Sequence, residues 1–154
     1  MEQLLREMRL ALEGSGLEDK IYIVGGLVRD SLLNRDVSDP DFMTDCDPAE
    51  VCRLLVKKGF GSRPRYLPEF YSAKLYRGDV CIEMTGGRSE TYTPGSRKPR
   101  VKPAPLEEDA FRRDFTVNAL YRNLCSGEIL DPTGMGLADL KAGLLRTPID
   151  PATC

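Results

Sequence analysis

The chain is organised around Ile21-Tyr22-Ile23-Val24-Gly25-Gly26-Leu27-Val28-Arg29-Asp30. Its first four residues are β-branched or aromatic, which favours a short buried strand. The glycine pair then breaks the strand, and residues 27–33 restart as a helix with one apolar face. Two glycines before a helix N-terminus let backbone N–H groups approach an anion closely, and Arg29 can add a positive fork to the same anion. A plain turn explains Gly25 and Gly26 about equally well.

A second feature lies downstream, where Asp39-Pro40-Asp41 follows a turn-prone segment. If these residues lie on a strand, their spacing puts both carboxylates on one face. Two hard oxygen ligands on a rigid face suit Mg²⁺ with substrate phosphates, although such aspartates alone are more often surface turn residues. Glu83, on a later predicted strand, is either solvent-facing or a third carboxylate beside them. A phosphate loop followed by paired carboxylates predicts metal-assisted phosphoryl chemistry.

Length and composition limit the class of protein. The 154 residues suffice for one domain, and a hydrophobic share of 41% with a charged share of 30% is typical of a soluble globular protein. There is no histidine, so any chemistry must depend on carboxylates, metals and arginines. The five cysteines never form a C-x-x-C pair, which argues against zinc and favours a reducing cytoplasm. No signal peptide or membrane span is visible.

Local signals predict the remaining elements. Asp47-Pro48 starts a helix, because the aspartate can cap it and proline suits its first turn, and Gly59 closes it. Strands over 70–76 and 80–84 form a hairpin. Apolar periodicity and β-branched runs predict helices over 1–13, 106–114 and 137–142, and strands over 117–124 and 128–130.

Residues 86–105 are rich in glycine and proline, a composition that we expect to exclude regular structure. A loop of this length in a compact domain is usually functional, so we expect it to be mobile and to touch substrate. It carries four cations toward its end: Arg97, Lys98, Arg100 and Lys102. Such a cluster is the usual footprint of a polyanion, and a solvated loop is the equally weighted alternative.

Three motifs occur in order: Gly25-Gly26-Leu27-Val28-Arg29-Asp30, Asp39-Pro40-Asp41 and Arg112-Arg113-Asp114-Phe115-Thr116-Val117-Asn118-Ala119-Leu120. Together they resemble the head domain of the tRNA nucleotidyltransferase (CCA-adding enzyme) and poly(A) polymerase family, in its bacterial and eukaryotic class. The resemblance implies an α/β fold of the α+β type: a small mixed, mostly antiparallel sheet with helices on one face, the palm of polymerase β-like nucleotidyltransferases. It also implies that residues 1–146 form the head and that 147–154 begin the connection to a helical neck.

The resemblance assigns roles by position. The catalytic carboxylates that bind Mg²⁺ or Mn²⁺ would be Asp39, Asp41 and Glu83. The nucleotide-binding positions would be Gly25, Gly26 and Arg29 for the triphosphate, Arg112 and Arg113 for phosphates, and Asp114 and Asn118 for the ribose. From the residues alone, the two arginines suit either phosphates or ion pairs with the domain's acids. The amide of Asn118 can likewise bond a sugar hydroxyl.

The reaction implied by the resemblance is attack of an RNA 3′-hydroxyl on the α-phosphate of ATP or CTP, with release of pyrophosphate. The RNA would be a tRNA 3′ end or a poly(A) primer, because CCA addition, A addition, CC addition and poly(A) synthesis share this head. The alternative is a nucleoside-triphosphate-binding module that is catalytically silent without its neck and RNA-binding domains. Either protein is expected in the cytoplasm and away from membranes.

Overall fold

The computed structural model describes residues 2–24, 28, 41–91, 94–95 and 100–148. The helices in this part of the chain are α1 (Glu2–Leu12), α2 (Pro48–Lys57), α3 (Leu106–Phe111) and α4 (Gly136–Ala142), and 3₁₀ turns span Pro68–Phe70 and Thr116–Asn118. The strands are β1 (Ile21–Val24), β2 (Asp41–Thr44), β3 (Ser62–Leu67), β4 (Ser72–Arg77), β5 (Val80–Gly86), β6 (Arg88–Thr91), β7 (Arg100–Pro103), β8 (Tyr121–Asn123) and β9 (Ile129–Leu130). None of these helices has the length and apolar character that a membrane crossing requires.

Seven of the strands form one sheet in the order β3-β4-β5-β2-β1-β8-β9, and β6 pairs with β7 in a separate ribbon. The pair β2–β5 is parallel, and the other pairs of the sheet are antiparallel. This arrangement confirms the predicted small, mixed and mostly antiparallel sheet. It also places β2 at the centre, where neighbours on both sides hold its backbone.

Helices α1 and α2 pack on one face of the sheet and bury the main core. The apolar residues of α1 recur at the spacing of one helix face, so they point together toward the strands. The buried set joins both layers: Leu5, Met8 and Leu12 of α1, Val51 and Leu55 of α2, and Ile21, Ile23, Phe42, Ile82 and Met84 of the strands. Burial of each large side chain contributes on the order of 1.5–3 kcal/mol, so this layer fixes the central strands firmly.

The short helix α3 lies on the opposite face of the sheet. It forms a second apolar cluster, in which Leu106 and Ala110 of α3 pack with Val24, Met43 and Tyr121 of the strands. The prediction of helices on one face therefore holds for α1 and α2, and α3 adds a smaller layer on the other. Asp41 belongs to this second face, because it alternates with the core residue Phe42 along β2.

The predicted hairpin is present as β4 and β5, which pair from Ser72↔Thr85 to Arg77↔Val80. The outer strand β3 is not predicted from the sequence, because a proline at position 64 argues against a central strand. An edge strand tolerates proline, and β3 lies at the sheet edge. Its ladder with β4 is interrupted between Ser62 and Arg65, where the intervening arginine at position 63 has a φ of 53°.

The expectation that residues 86–105 exclude regular structure is wrong. β5 runs through Gly86, and β6 and β7 then pair antiparallel from Arg88↔Pro103 to Thr91↔Arg100. A two-stranded ribbon has free edges, so Pro103 removes no necessary hydrogen bond. The ribbon closes where the N–H of Ala104 donates to the carbonyl of Gly87 at 2.8 Å. The mobility of this segment stays a prediction.

The strand predicted over 117–124 is also wrong in its first half. Thr116–Asn118 forms a 3₁₀ turn, and the strand is confined to Tyr121–Asn123. The cause is a buried contact that local pattern cannot show: the hydroxyl of Thr116 donates to Asp139 at 2.6 Å and fixes the turn to α4. Helix α3 ends at Phe111, three residues before the predicted end, so the two arginines that follow lie at its C-terminus.

Candidate active site

Asp41 and Glu83 meet at the centre of the sheet. Asp41 is the first residue of β2 and is in register with Glu83 on the parallel strand β5. Neighbouring strands lie about 4.8 Å apart, and registered residues point to the same face, so the carboxylates are adjacent. Asp41 is exposed and Glu83 is half-buried. Asp39 lies outside the described residues.

The local sequence explains why these two carboxylates are held rigidly. Asp41 is followed by three buried residues, so β2 is fixed on both faces directly behind it. Glu83 lies between Ile82 and Met84, both of which are buried in the main core and force its side chain to the opposite face. The carboxylates therefore stand on a rigid part of the molecule and point toward solvent.

Two adjacent carboxylates provide the hard oxygen donors that Mg²⁺ and Mn²⁺ prefer. Within the described ranges, no group of three or more acidic or cysteine side chains forms a complete metal site. The donor chemistry of Asp41 and Glu83 fits a divalent cation as part of a larger set. Asp39 is the residue that the sequence predicts to complete that set.

A buried carboxylate, Asp109, holds the two arginines at the end of α3. Arg112 Nε lies 2.8 Å from Asp109 Oδ1, and Arg113 Nη2 lies 3.1 Å from Oδ2. The hydroxyl of Tyr121 donates to Oδ2 at 2.7 Å, and the N–H of Arg88 donates to Oδ1 at 3.2 Å. Asp109 thus joins α3, the strand β8 and the start of the β6–β7 ribbon.

The sequence gives Asp109 no role beyond an acid in the first turn of a helix. The available signal is its spacing, because residues three and four positions apart on a helix are neighbours. Arg112 and Arg113 lie at those positions. These contacts confirm the alternative in which both arginines form ion pairs with an acid of the domain. Contact of the two arginines with phosphates stays a prediction.

The electrostatics keep this cluster positive. Burial raises the pKa of Asp109, but Arg113, Arg112 and the hydrogen bonds lower it by more, so the carboxyl stays ionised. Burial likewise disfavours the charge on Arg113, but Tyr121 and Asp109 offset this and leave its pKa raised. Two guanidinium groups share one carboxylate, so the three groups carry an excess positive charge. The side chains of Arg112 and Arg113 are 19% and 16% exposed, which leaves part of each accessible to an anion.

Asp114 and Asn118 lie together just beyond the arginines. The side-chain amide of Asn118 donates to Asp114 Oδ1 at 3.1 Å, and the same oxygen accepts from the N–H of Phe115 at 2.8 Å. The 3₁₀ turn makes this contact possible, because a strand would carry the two side chains apart. An exposed carboxylate beside an amide can bond vicinal hydroxyl groups of a ribose.

The remaining predicted positions are those of the glycine-pair motif and the cations of residues 97–102. Gly25, Gly26, Arg29, Arg97 and Lys98 lie outside the described residues. Arg100 and Lys102 belong to β7, and the side chain of Lys102 is exposed.

A cavity of about 590 Å³ opens near the end of β2, away from Asp41. Its lining includes Tyr22, Asp45 and Glu107. Asp45 follows the strand that Asp41 begins, which separates the two by about 13 Å at 3.3 Å per residue. Two carboxylates in its wall disfavour the binding of phosphate there.

Comparison with solved structures defines the class of fold. A crystal structure of tRNA nucleotidyltransferase complexed with a primer tRNA and an incoming ATP analog is similar at a TM-score of 0.73 and 34% identity, over 92% of this chain and 39% of the other. The apo form II of a CCA-adding enzyme is similar at a TM-score of 0.81 and 28% identity, over 97% of this chain and 36% of the other. The fold is that of a nucleotidyltransferase domain.

The chain belongs to the Poly A polymerase head domain family, whose model matches residues 21–146. A-adding tRNA nucleotidyltransferase of Aquifex aeolicus is 39% identical over 130 residues, which cover 82% of this chain. The mitochondrial CCA tRNA nucleotidyltransferase of Saccharomyces cerevisiae is 36% identical over 148 residues, which cover 84%. The chain spans 16% and 27% of the lengths of these two relatives. The family resemblance inferred from the motifs is confirmed.

Proposed function

We propose that this chain is the catalytic head of an RNA nucleotidyltransferase, which transfers a nucleoside monophosphate from ATP or CTP to the 3′-hydroxyl of an RNA. The observation that carries the proposal is the register of Asp41 with Glu83 on rigid neighbouring strands. The tRNA nucleotidyltransferases among its relatives support a tRNA 3′ end as the acceptor. One similar structure contains a primer tRNA and an ATP analog, and another contains CTP.

In this proposal Asp39, Asp41 and Glu83 hold Mg²⁺ or Mn²⁺. A cation held by these carboxylates would supply the positive charge that stabilises phosphoryl transfer. The chain has no histidine, so no imidazole base competes for this role. The protein's own contribution is to fix the carboxylates on a rigid sheet, because phosphoryl transfer depends mainly on positioning and electrostatic stabilisation.

Other residues of the chain bind and orient the nucleotide. We assign the triphosphate to Gly25, Gly26 and Arg29, with Arg112 and Arg113 as further positive groups. The excess charge of the arginine cluster around Asp109 supports the second part of this assignment. The ribose is assigned to Asp114 and Asn118, which already share a hydrogen bond.

The first prediction tests the metal site. Asp41→Asn keeps the shape of the side chain but removes the charge, so the variant should bind Mn²⁺ with ATP at least tenfold more weakly than the wild type. The matched control is Asp79→Asn, an exposed acid in the β4–β5 turn, which should bind as the wild type does. Electron paramagnetic resonance of free Mn²⁺ during titration measures the affinity of each variant. Equal affinity in the wild type and Asp41→Asn contradicts the assignment.

A second measurement on the same protein distinguishes transfer of the nucleotide to RNA from binding of the nucleotide alone. Incorporation of labelled AMP into an RNA ending in a free 3′-hydroxyl reports the transferase activity directly. Binding of the metal and nucleotide without incorporation identifies the chain as the triphosphate-binding module that is the alternative. Incorporation that is lost in Asp41→Asn supports the transferase.

We also propose a reducing compartment such as the cytoplasm. The cysteines in the described part of the chain, Cys46, Cys52, Cys81 and Cys125, are all free thiols, which supports this placement.

A further inference from the structure

A row of charged side chains crosses four neighbouring strands of the sheet. Asp41 on β2 is in register with Glu83 on β5, Glu83 with Lys74 on β4, and Lys74 with Arg65 on β3. Registered residues point to the same face, and successive strands are about 4.8 Å apart. The row therefore leads from the two acids, through two cations, to the open edge of the sheet.

Further groups extend the cationic end of this row. The guanidinium of Arg63 lies 4.7 Å from the centre of the Tyr76 ring. Tyr76 is two residues from Lys74 on β4 and shares its face. We call Arg63, Arg65, Lys74 and Tyr76 the edge strip. The other face of β4 buries its side chains in the main core, so the strip is held toward solvent.

Two cations of the edge strip stand directly opposite each other without an intervening acid. Arg65 and Lys74 are cross-strand partners, and like charges in this position are destabilising, while Glu83 faces only Lys74, from its other side. Arg65 is exposed, and Lys74 is half-buried. An anion bound across the two strands would relieve their repulsion. Charge, exposure and a nearby aromatic ring together are features of surfaces that bind single-stranded nucleic acid.

The edge of β3 is unsuited to another strand. Pro64 lacks a backbone donor, and the ladder is interrupted on the β4 side between Ser62 and Arg65. Prolines, irregularities and charged residues on an edge strand block strand addition. A protein partner that pairs with this edge is therefore disfavoured relative to a partner that binds the side chains.

The geometry of the proposed reaction indicates which substrate lies on the side of the edge strip. Under the proposed function, the triphosphate lies near the end of β1 at Val24, on one side of β2. Glu83 and the edge strip lie on the other side. An in-line displacement places the attacking and leaving oxygens opposite each other, so the RNA acceptor approaches from the side of β5, β4 and β3.

We propose that the edge strip binds the phosphate backbone of the acceptor RNA, upstream of the 3′-hydroxyl that reacts at Asp41 and Glu83. Lys74 contacts the phosphates nearer the 3′ end, and Arg65 and Arg63 contact those farther from it. Tyr76 provides a ring on which a base can stack. This inference rests on the proposed function for the direction of the RNA, although the charge pattern itself does not.

The test compares two double variants that each remove two positive charges. Arg65→Gln/Lys74→Gln alters the strip, and Lys57→Gln/Lys58→Gln alters exposed cations at the end of α2 on the opposite face. Fluorescence anisotropy of a labelled single-stranded RNA with a free 3′-hydroxyl gives the affinity at a series of salt concentrations. Binding of ATP with Mn²⁺ is measured in parallel on each protein, and circular dichroism checks the fold.

The strip variant should lose about tenfold or more in RNA affinity and leave ATP affinity unchanged. The slope of log affinity against log salt should fall by about 0.7 for each lost phosphate contact. The α2 variant should stay within about twofold of the wild type. Lys74→Glu, a charge reversal in a single residue, should weaken RNA binding further than Lys74→Gln does.

Several results would overturn the inference. They are equal losses in the two double variants, unchanged RNA affinity in the strip variant, a loss of ATP affinity alone, and an absence of RNA binding by the wild type. Failure of the proposed function gives a different result, because the wild type would then incorporate no AMP into an RNA with a free 3′-hydroxyl. RNA affinity that depends on the strip would in that case still support the strip as an RNA surface.

Discussion

At Asp109, one buried carboxylate orders two guanidinium groups, a tyrosine hydroxyl and a backbone N–H. These partners come from the end of α3, from β8 and from the start of β6, so the residue joins three elements through one carboxylate. Breaking a buried ion pair by removing one partner is strongly destabilising, because the remaining charges stay buried without compensation. Asp109 therefore determines both the stability of this region and the position of Arg112 and Arg113.

Asp109→Asn should lower the free energy of unfolding by about 3 kcal/mol, because two arginines would lose their shared countercharge. Urea denaturation followed by circular dichroism measures the change. Asp79→Asn, in an exposed turn, is the control and should stay within about 0.5 kcal/mol of the wild type. An equal effect of the two substitutions would show that the buried network contributes nothing specific.

The same carboxylate makes stability depend on pH in acid. Burial alone would raise the pKa of Asp109, but Arg113 and Arg112 hold it below its usual value, whereas the pKa of an unfolded aspartate is about 3.9. Between these two pKa values the unfolded chain binds a proton that the folded chain does not, so stability falls as the pH drops through them. The difference in unfolding free energy between the wild type and Asp109→Asn should shrink from pH 7 to pH 3. A difference that is constant over this range would contradict the assignment.

At the scale of elements, the β6–β7 ribbon depends on a close approach at Gly87. A Cβ at this position would meet the carbonyl oxygen of Ala104 and lie 2.8 Å from Met43 Cε. The first of these neighbours is backbone, so it cannot move without displacing the ribbon. Gly87→Ala should cost about 1–3 kcal/mol, the usual range for overpacking.

Hydrogen exchange locates the effect of Gly87→Ala. The amide of Ala104 donates to the carbonyl of Gly87, so it should exchange faster in the variant. The amide of Ile82, in the buried centre of β5, should keep its protection. Uniform loss of protection, or none at Ala104, would show that this contact does not hold the ribbon.

Elements with a local signal were predictable, and those fixed by distant contacts were not. The start of α2 follows from Asp47, whose side chain accepts from the N–H of Ala49 at 3.0 Å, and from the proline after it. By contrast, the 3₁₀ turn at Thr116 depends on Asp139, and the ribbon depends on Gly87 and Ala104. Glycine and proline mark the ribbon segment as irregular, and β-branched residues mark the turn as a strand, but neither signal reveals which groups meet in space.

The residues of the candidate site also differ in whether the sequence predicts them. Asp41 and Glu83 were identified through a motif and a strand alternation, but their register is a property of the parallel pair β2–β5, which a crossover connection creates. Asp109 was missed because its partners include Tyr121 and the N–H of Arg88, which lie on other elements. The row from Asp41 to Arg65 likewise appears only when four strands are aligned.

At the scale of the whole molecule, the local distribution of charge differs from what the net charge suggests. The net charge is −2, which alone gives no attraction for nucleic acid. The sheet face nevertheless carries acids at its centre, the edge strip toward β3, and the arginine cluster at the end of α3 beside β8. Under the proposed function, this distribution favours a phosphate-bearing substrate on each side of Asp41 and Glu83.

The last prediction concerns which nucleotides the chain distinguishes. The groups assigned to the nucleotide address phosphates, a metal and ribose hydroxyls, and all four ribonucleoside triphosphates share these features. Discrimination between bases requires polar groups placed at the base edge, because unpaired polar groups are what penalise a wrong partner. We therefore expect ATP, CTP, GTP and UTP to bind this chain with similar affinities in the presence of Mn²⁺. Deoxynucleotides should bind more weakly, because they lack the hydroxyl assigned to Asp114 and Asn118. Calorimetric titration of the four ribonucleotides and dATP measures both effects, with Asn118→Ala as the variant that should erase the difference between ATP and dATP. A preference for one base above about tenfold, or 1.4 kcal/mol, would show that the head itself reads the base.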